Sequence, residues 1–370
     1  MNWSRWAAEE LGSIEGSGRL RRVRDFDAWG VRGQLDDGRH IVSFASNDYL
    51  GLTSHPDVID GARAALARWG AGAGAARLID GSRPVHTELE RAVADWKQAD
   101  RAVLFPTGYM ANLGVLAALG EAGVLICSDE LNHASIVDGC RLARADVAVY
   151  PHRDIGALAR LLAGADRAIV VSDLVFSMDG DIAPIDNLAE LCAHHRALLV
   201  LDEAHAVLGP APHLDGVDAI RIGTLSKFIG AMGGFAATSE PVAELLVNRA
   251  RPYIFTTAPA PAVAGAALAA LTIVRGAEGE ALRAHLRGLV ERVKPGHPSP
   301  IIPLVLGSEH AALSASASLL ERGFLVPAIR PPSVAPGSSR LRITLSAAHS
   351  DDEVAGLIAA LRDVTATAHA

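Results

Sequence analysis

The chain has 370 residues, 50% hydrophobic and 21% charged, which is enough apolar material to bury a large core in about two domains. Its formal net charge of -8 has the wrong sign for displacing counterions from phosphates, so nucleic acid is not an expected partner. Cys127, Cys140 and Cys192 are odd in number and form no C-x-x-C, which argues against a disulfide framework or zinc site and for a reducing cytoplasm.

The N-terminal run MNWSRWAAEELGS carries acids where a signal peptide needs an apolar stretch. Residues 1–40 read as a polar, Arg-rich helical segment ending in the turn Asp36-Asp37-Gly38. Its Arg19, Arg21, Arg22 and Arg24 form either a solvated helix face or a local basic patch. The run Gly70 to Gly74 is not G-x-G-x-x-G and follows no strand, so it reads as a flexible loop and not as a dinucleotide site.

Strand candidates follow at Ala102 to Phe105, Val124 to Cys127, Ala168 to Asp173, Ala197 to Asp202 and Ala219 to Thr224. Each is a continuous apolar run that stops at or beside a polar residue, as strands buried on both faces of a parallel sheet do. Helical patterns such as Pro84 to Gln98 and Ile155 to Ala163 lie between them. This alternation predicts an α/β fold with a mostly parallel central sheet and helices on both faces, over residues 41–265. The apolar stretch Ala258 to Val274 contains Pro259 and Pro261 and reads as a buried helix, so no membrane span is expected.

Beyond this the pattern changes. Strand-like runs at Ile301 to Leu306, Gly323 to Ala328 and Leu341 to Leu345 mix with helices at Ser308 to Arg322 and Asp351 to Asp363. They predict a smaller C-terminal α+β domain over 266–370.

Open α/β sheets bind ligands at the carboxyl ends of their strands, which directs attention to the residues closing them. In LLVLDEAHA, Asp202 ends a strand and His205 follows three later. Asp202 reads as a helix cap, as part of an ATPase-like D-E-A-H box, or as the carboxylate that keeps a pyridine nitrogen protonated. The ATPase reading needs a P-loop, and the chain contains no Gly-Lys dipeptide. The pyridine reading needs a nearby lysine. The chain has Lys97, Lys227 and Lys294, and of these only Lys227 lies just beyond an apolar strand, in IGTLSKFIGAMGGF. An amine in such a pocket is readily deprotonated and nucleophilic.

Gly108 and Tyr109 open a helix after the strand ending at Phe105, and free N–H groups there suit a phosphate. Thr224 adds a hydroxyl. His133 reads either as a cap or surface residue, or as a ring that stacks on a cofactor. Ser177 and Asp181 follow another strand, around the turn Asp179-Gly180.

SNDYLGL (46–52), TGYMAN (107–112), LNHAS (131–135), FSMDGD (176–181), LDEAH (201–205) and GTLSK (223–227) occur in the order found in α-oxoamine synthases. From about residue 20 to its end the chain resembles this family of fold-type I pyridoxal-phosphate transferases. The resemblance implies pyridoxal 5'-phosphate as cofactor, bound to Lys227 as a Schiff base, with Lys227 later moving the substrate proton. It implies that Asp202 pairs with the pyridinium nitrogen, that His133 stacks on the ring, and that His205 and Ser177 contact the ring hydroxyl. Gly108, Tyr109 and Thr224 then hold the phosphate. Thr256 and Thr257, in YIFTTAPA, resemble the segment that reaches the partner's phosphate in a homodimer with shared active sites. Asn47 and Arg342 resemble residues that hold the amino-acid carboxylate.

The stretch 328–349, above all Ile329-Arg330-Pro331-Pro332, is similar to the branch that condenses L-alanine with a pimeloyl thioester in biotin synthesis, where Arg21 and Ser333 match positions near the substrate. Sister branches use glycine or serine. Ser226, Ala206 and Leu174 stand where many members have glycine.

Overall fold

The computed structural model describes residues 2–368. Its centre is a seven-stranded sheet in the order Arg101–Phe105, Gly234–Thr238, Ala219–Thr224, Leu198–Asp202, Ala168–Asp173, Leu125–Asp129, Asp146–Tyr150. Gly234–Thr238 runs antiparallel to both neighbours, and the remaining pairings are parallel. The continuous apolar runs are explained by burial on both faces: Ile169 and Val171 enter one core cluster, and Val170 enters the other. Leu199 and Leu201 likewise face away from Val200.

Most expected strands and helices form within two residues of their predicted bounds, but Gly323 to Ala328 is not one strand: it breaks before Pro327 into Phe324–Leu325 and Ala328–Ile329, which join different sheets, and the last helix runs on from Asp351 to Ala368. Pro84–Lys97 starts with proline in its first turn and stops at Gln98, whose φ of 53° lies in the left-handed region. The apolar stretch near residue 260 is the helix Pro261–Arg275, packed so closely on Pro56–Trp69 that a Cβ on Gly61 would lie 2.7 Å from the Gly265 carbonyl oxygen. The division expected at 265/266 falls inside this helix. Among the described residues no single helix is long and apolar enough to cross a membrane.

The N-terminal expectation needs correction. Only Trp3–Gly16 is helical; Phe26–Trp29, Arg32–Leu35 and His40–Ser43 are antiparallel strands. Their polar composition hid them, because one face is open to solvent. His40–Ser43 then pairs in parallel with Phe324–Leu325, so both ends of the chain build the smaller unit. A second small sheet places Ser339–Thr344 between Ile301–Gly307 and Ala328–Ile329. The Thr344 N–H donates to the Phe44 carbonyl and the Ala347 N–H to the Tyr49 carbonyl, both at 2.8 Å. These bonds bring the 44–49 segment against the end of the C-terminal strand.

Candidate active site

The polar residues that close the parallel strands converge. Lys227 lies just beyond Ala219–Thr224, and its Nζ is 2.8 Å from His205 Nε2. Burial holds the Lys227 amine below the ordinary lysine range, against the opposing pull of Asp202 and Asp173. Burial, helped by Lys227 and Arg342, holds the His205 imidazole well below its ordinary value, so this ring is neutral.

Asp202 is buried at the end of Leu198–Asp202. One carboxylate oxygen accepts from the Ala204 N–H at 2.9 Å, and the other from Asn112 Nδ2 at 2.6 Å. Asn112 also donates to the Ser135 hydroxyl at 2.9 Å, which touches His133 Nδ1 at 2.8 Å. His133 caps the helix Ala134–Leu142 by accepting from the Ser135 N–H, so the cap and cofactor-ring readings are compatible. Its backbone N–H donates to Asp173, buried at the end of the next strand and in register with Asp202. Burial and the neighbouring Asp202 charge push the Asp173 carboxyl well above its ordinary value.

The helix Gly108–Leu119 starts beside Thr224. Thr107 caps it, taking the Met110 N–H on its hydroxyl and the Ala111 N–H on its carbonyl. That leaves the Gly108 and Tyr109 N–H groups for an outside acceptor. Close packing shapes the turn: a Cβ on Gly108 would sit 3.1 Å from Thr224 Cβ, and one on Gly234 would sit 2.5 Å from the Gly108 nitrogen. The Thr224 hydroxyl donates to the Gly233 carbonyl and is 2.7 Å from Ser226 Oγ, so a second, exposed hydroxyl stands at this turn.

Arg342, buried in Ser339–Thr344, donates to the Ser177 carbonyl at 2.6 Å, the Thr344 hydroxyl at 2.9 Å and Asn47 Oδ1 at 3.1 Å. Ser177 therefore meets Arg342 through its backbone oxygen. All three acceptors are neutral. A buried guanidinium without a carboxylate is suited to an incoming anion. The next residue, Asp48, pins the turn that carries Asn47, its carboxylate accepting from the Leu52 and Thr53 N–H groups and the Thr53 hydroxyl.

The other sequence candidates lie apart. Arg21 is exposed in an irregular segment, and Ser333 is exposed in the loop after Arg330. Arg330 donates to the Gly18 carbonyl, which places the two segments side by side. Thr256 and Thr257 follow the short helix Arg251–Ile254, and within this protomer no hydrogen bond among the described residues joins them to the Lys227 cluster. A surface cavity of about 570 Å³ opens at the amino ends of the strands, lined by Asp100, Arg167 and Arg196, far from this chemistry.

Sequence reasoning missed Tyr49, Asn112, Asp173 and Ser226 as members of the site. Asp173 carried the same signal as Asp202, a polar residue closing an apolar strand. Tyr49 and Asn112 stood inside motifs already singled out.

Residues 39–361 match the family of class I and II aminotransferases. The chain is 46% identical to 8-amino-7-oxononanoate synthase of Paraburkholderia xenovorans (strain LB400), with 98% of each chain covered. The chain belongs to the 8-amino-7-oxononanoate synthase family. A serine palmitoyltransferase from S. paucimobilis with a bound PLP–myriocin aldimine superposes with a TM-score of 0.89 at 28% identity, covering 98% of this chain and 97% of that one. An 8-amino-7-oxononanoate synthase from Francisella tularensis superposes at 0.74 and 25% identity, covering 88% and 98%.

Pyridoxal 5'-phosphate is the cofactor of this fold-type I α-oxoamine synthase. The donor set fits it: two free N–H groups for a phosphate, a buried carboxylate for the ring nitrogen, and a lysine amine lowered by burial.

Proposed function

We propose that this site joins L-alanine to a pimeloyl thioester, giving 8-amino-7-oxononanoate, carbon dioxide and the free thiol. The observation that carries it is the placement of Arg342, an unpaired buried guanidinium, beside the Lys227–His205 pair in a chain of this family. Bound pyridoxal phosphate supplies an electron sink for negative charge at the α-carbon of the amino acid.

The chain's own groups do the rest. The Gly108 and Tyr109 N–H groups would hold the phosphate at the helix start, and the Thr224 hydroxyl would join them by turning from the Gly233 carbonyl, to which it donates here. Asp202, fixed by Asn112 and Ala204, keeps the ring nitrogen protonated. His133 covers one ring face, and His205 and Ser177 stand near the ring hydroxyl. Arg342 and Asn47 hold the alanine carboxylate. Lys227 would hold the cofactor through Nζ, and as a free amine Nζ would take the α-proton of alanine. Burial lowers the pKa of Lys227, which raises the share of free amine. Arg21 and Ser333, on adjoining segments, are suited to the pimeloyl chain.

The partner subunit completes each site with Thr256 and Thr257 in a homodimer. Supporting this, Ile79, Met232 and Phe255 are large apolar side chains left exposed in one protomer. A cytoplasmic location agrees with three buried cysteines that form no disulfide.

The test is product analysis by mass spectrometry of holoenzyme supplied with pimeloyl-CoA and L-alanine, glycine or L-serine in competition. Formation of 8-amino-7-oxononanoate in preference to the other products is expected. Preferential use of glycine or serine would assign a sister reaction.

A further inference from the structure

Tyr49 sits in a chain of polar contacts that the reaction above leaves unused. Its side chain is fully buried, and its hydroxyl meets Asn47 Oδ1 at 3.1 Å and His205 Nδ1 at 2.5 Å. A phenol has one hydrogen to donate. Where that hydrogen goes decides the state of His205.

Asn47 settles the direction. It faces Arg342, which has only donors, so the amide oxygen and not the NH2 group must point into the cluster. The contact between Asn47 Oδ1 and Tyr49 is then satisfied when Tyr49 donates. The phenol oxygen has only lone pairs left for His205, so Nδ1 must carry a hydrogen. The opposite arrangement, with Tyr49 donating to Nδ1, would leave Asn47 Oδ1 with Arg342 alone. On the far side of the ring Lys227 Nζ lies 2.8 Å from Nε2, and a lysine amine, protonated or free, has a hydrogen to donate to a bare Nε2.

We propose that Tyr49 is a positioning residue that fixes His205 as the Nδ1–H tautomer, leaving the Nε2 lone pair directed at Lys227. The ring stays neutral, and Nε2 accepts a hydrogen bond from Lys227 Nζ. Asn47 contacts both Tyr49 and Arg342, so carboxylate recognition and the tautomer of His205 share one side chain. The tautomer assignment stands on the contacts alone; its effect on turnover rests on the function proposed above.

The test is NMR of the full chain with 15N-labelled histidine, with and without pyridoxal phosphate. The His205 ring signals are those lost in His205→Gln. The wild type is expected to give Nδ1–H, and Tyr49→Phe to swing His205 toward Nε2–H, the tautomer a free imidazole prefers. In the same variant kcat per folded molecule is expected to fall about 100-fold, whereas a purely structural role would lower only the folded fraction. Nε2–H in the wild type overturns the proposal, as does an unchanged tautomer in Tyr49→Phe. If that variant does not fold, the wild-type spectrum alone decides. Failure of the proposed function would be visible separately, as Nδ1–H in a protein that makes no product from alanine.

Discussion

Asn47 and Arg342, 295 residues apart in the chain, meet through a 3.1 Å hydrogen bond beside the Lys227 cluster. The bond joins the first motif of the chain to its last strand. Arg342 places a fork of donors there that a lysine cannot reproduce. Arg342→Lys should raise KM for L-alanine about 10–100-fold, with a smaller change in kcat. Steady-state kinetics over a range of alanine concentrations checks this.

Asp202→Asn should keep the cofactor and lose the chemistry. The phosphate donors are untouched, and the amide oxygen can still accept from the Ala204 N–H, with the Asn112 amide turning over to take the new NH2 on its oxygen. An amide cannot hold the ring nitrogen protonated, so kcat should fall by about 100-fold or more. Equilibrium dialysis for cofactor, beside a rate assay, separates the two effects.

Gly234→Ala tests the cradle. The new methyl would lie 2.5 Å from both the Gly108 nitrogen and the Thr107 carbonyl carbon, which are backbone atoms that cannot swing away. We expect a loss of about 1–3 kcal/mol in stability and at least 10-fold weaker cofactor binding, measured by urea unfolding and cofactor titration.

Burial lowers the pKa of His86, His133, His205, His297 and His349. His152 runs the other way: against burial, its bonds to Asp129 and Asp181 raise it. For the lowered group the unfolded chain takes up protons first as pH falls below about 6.5, while the folded chain stays neutral. Stability is therefore full above that pH and is lost on acidification, at about 1.4 kcal/mol per pH unit for each net proton. His152 and the raised Asp173 carboxyl oppose this with stability that grows on acidification. Five lowered imidazoles outnumber these two groups, so urea midpoints should drop on mild acidification, and His205→Gln should drop less steeply than the wild type.

Beneath the sheet, Lys97 and Arg221 both pair with Glu203, buried beside Asp202. Glu203→Gln strands the buried Lys97 and the half-buried Arg221 and should cost about 3–5 kcal/mol. Lys97→Met leaves the Arg221–Glu203 pair intact and should cost less. Denaturant unfolding of both variants checks the order.

The central strands were legible because burial on both faces leaves no polar gap in Ala168–Asp173 or Ala219–Thr224. Gly234–Thr238 was not. Its Gly-Phe-Ala-Ala-Thr run has weak strand preference, and it becomes a strand through pairing with two neighbours that the local sequence does not reveal. Asp146–Tyr150 escaped notice as a largely exposed edge strand. The N-terminal hairpin escaped because Asp27, Arg32 and Gln34 dilute its pattern.

In the site, Lys227, Asp202 and His205 were legible from their places after apolar strands. Tyr49 was not, because a buried aromatic within SNDYLGL reads as core. Its partner His205 lies 156 residues on, and only folding brings the two together.

The most direct test of the account is reduction of the holoenzyme with borohydride, followed by peptide mapping. Reduction fixes the pyridoxyl group to the lysine that carries it. The account predicts the label on Lys227, with none on Lys97 or Lys294. A label on either of those lysines, or no labelled lysine in protein that binds pyridoxal phosphate, would contradict it.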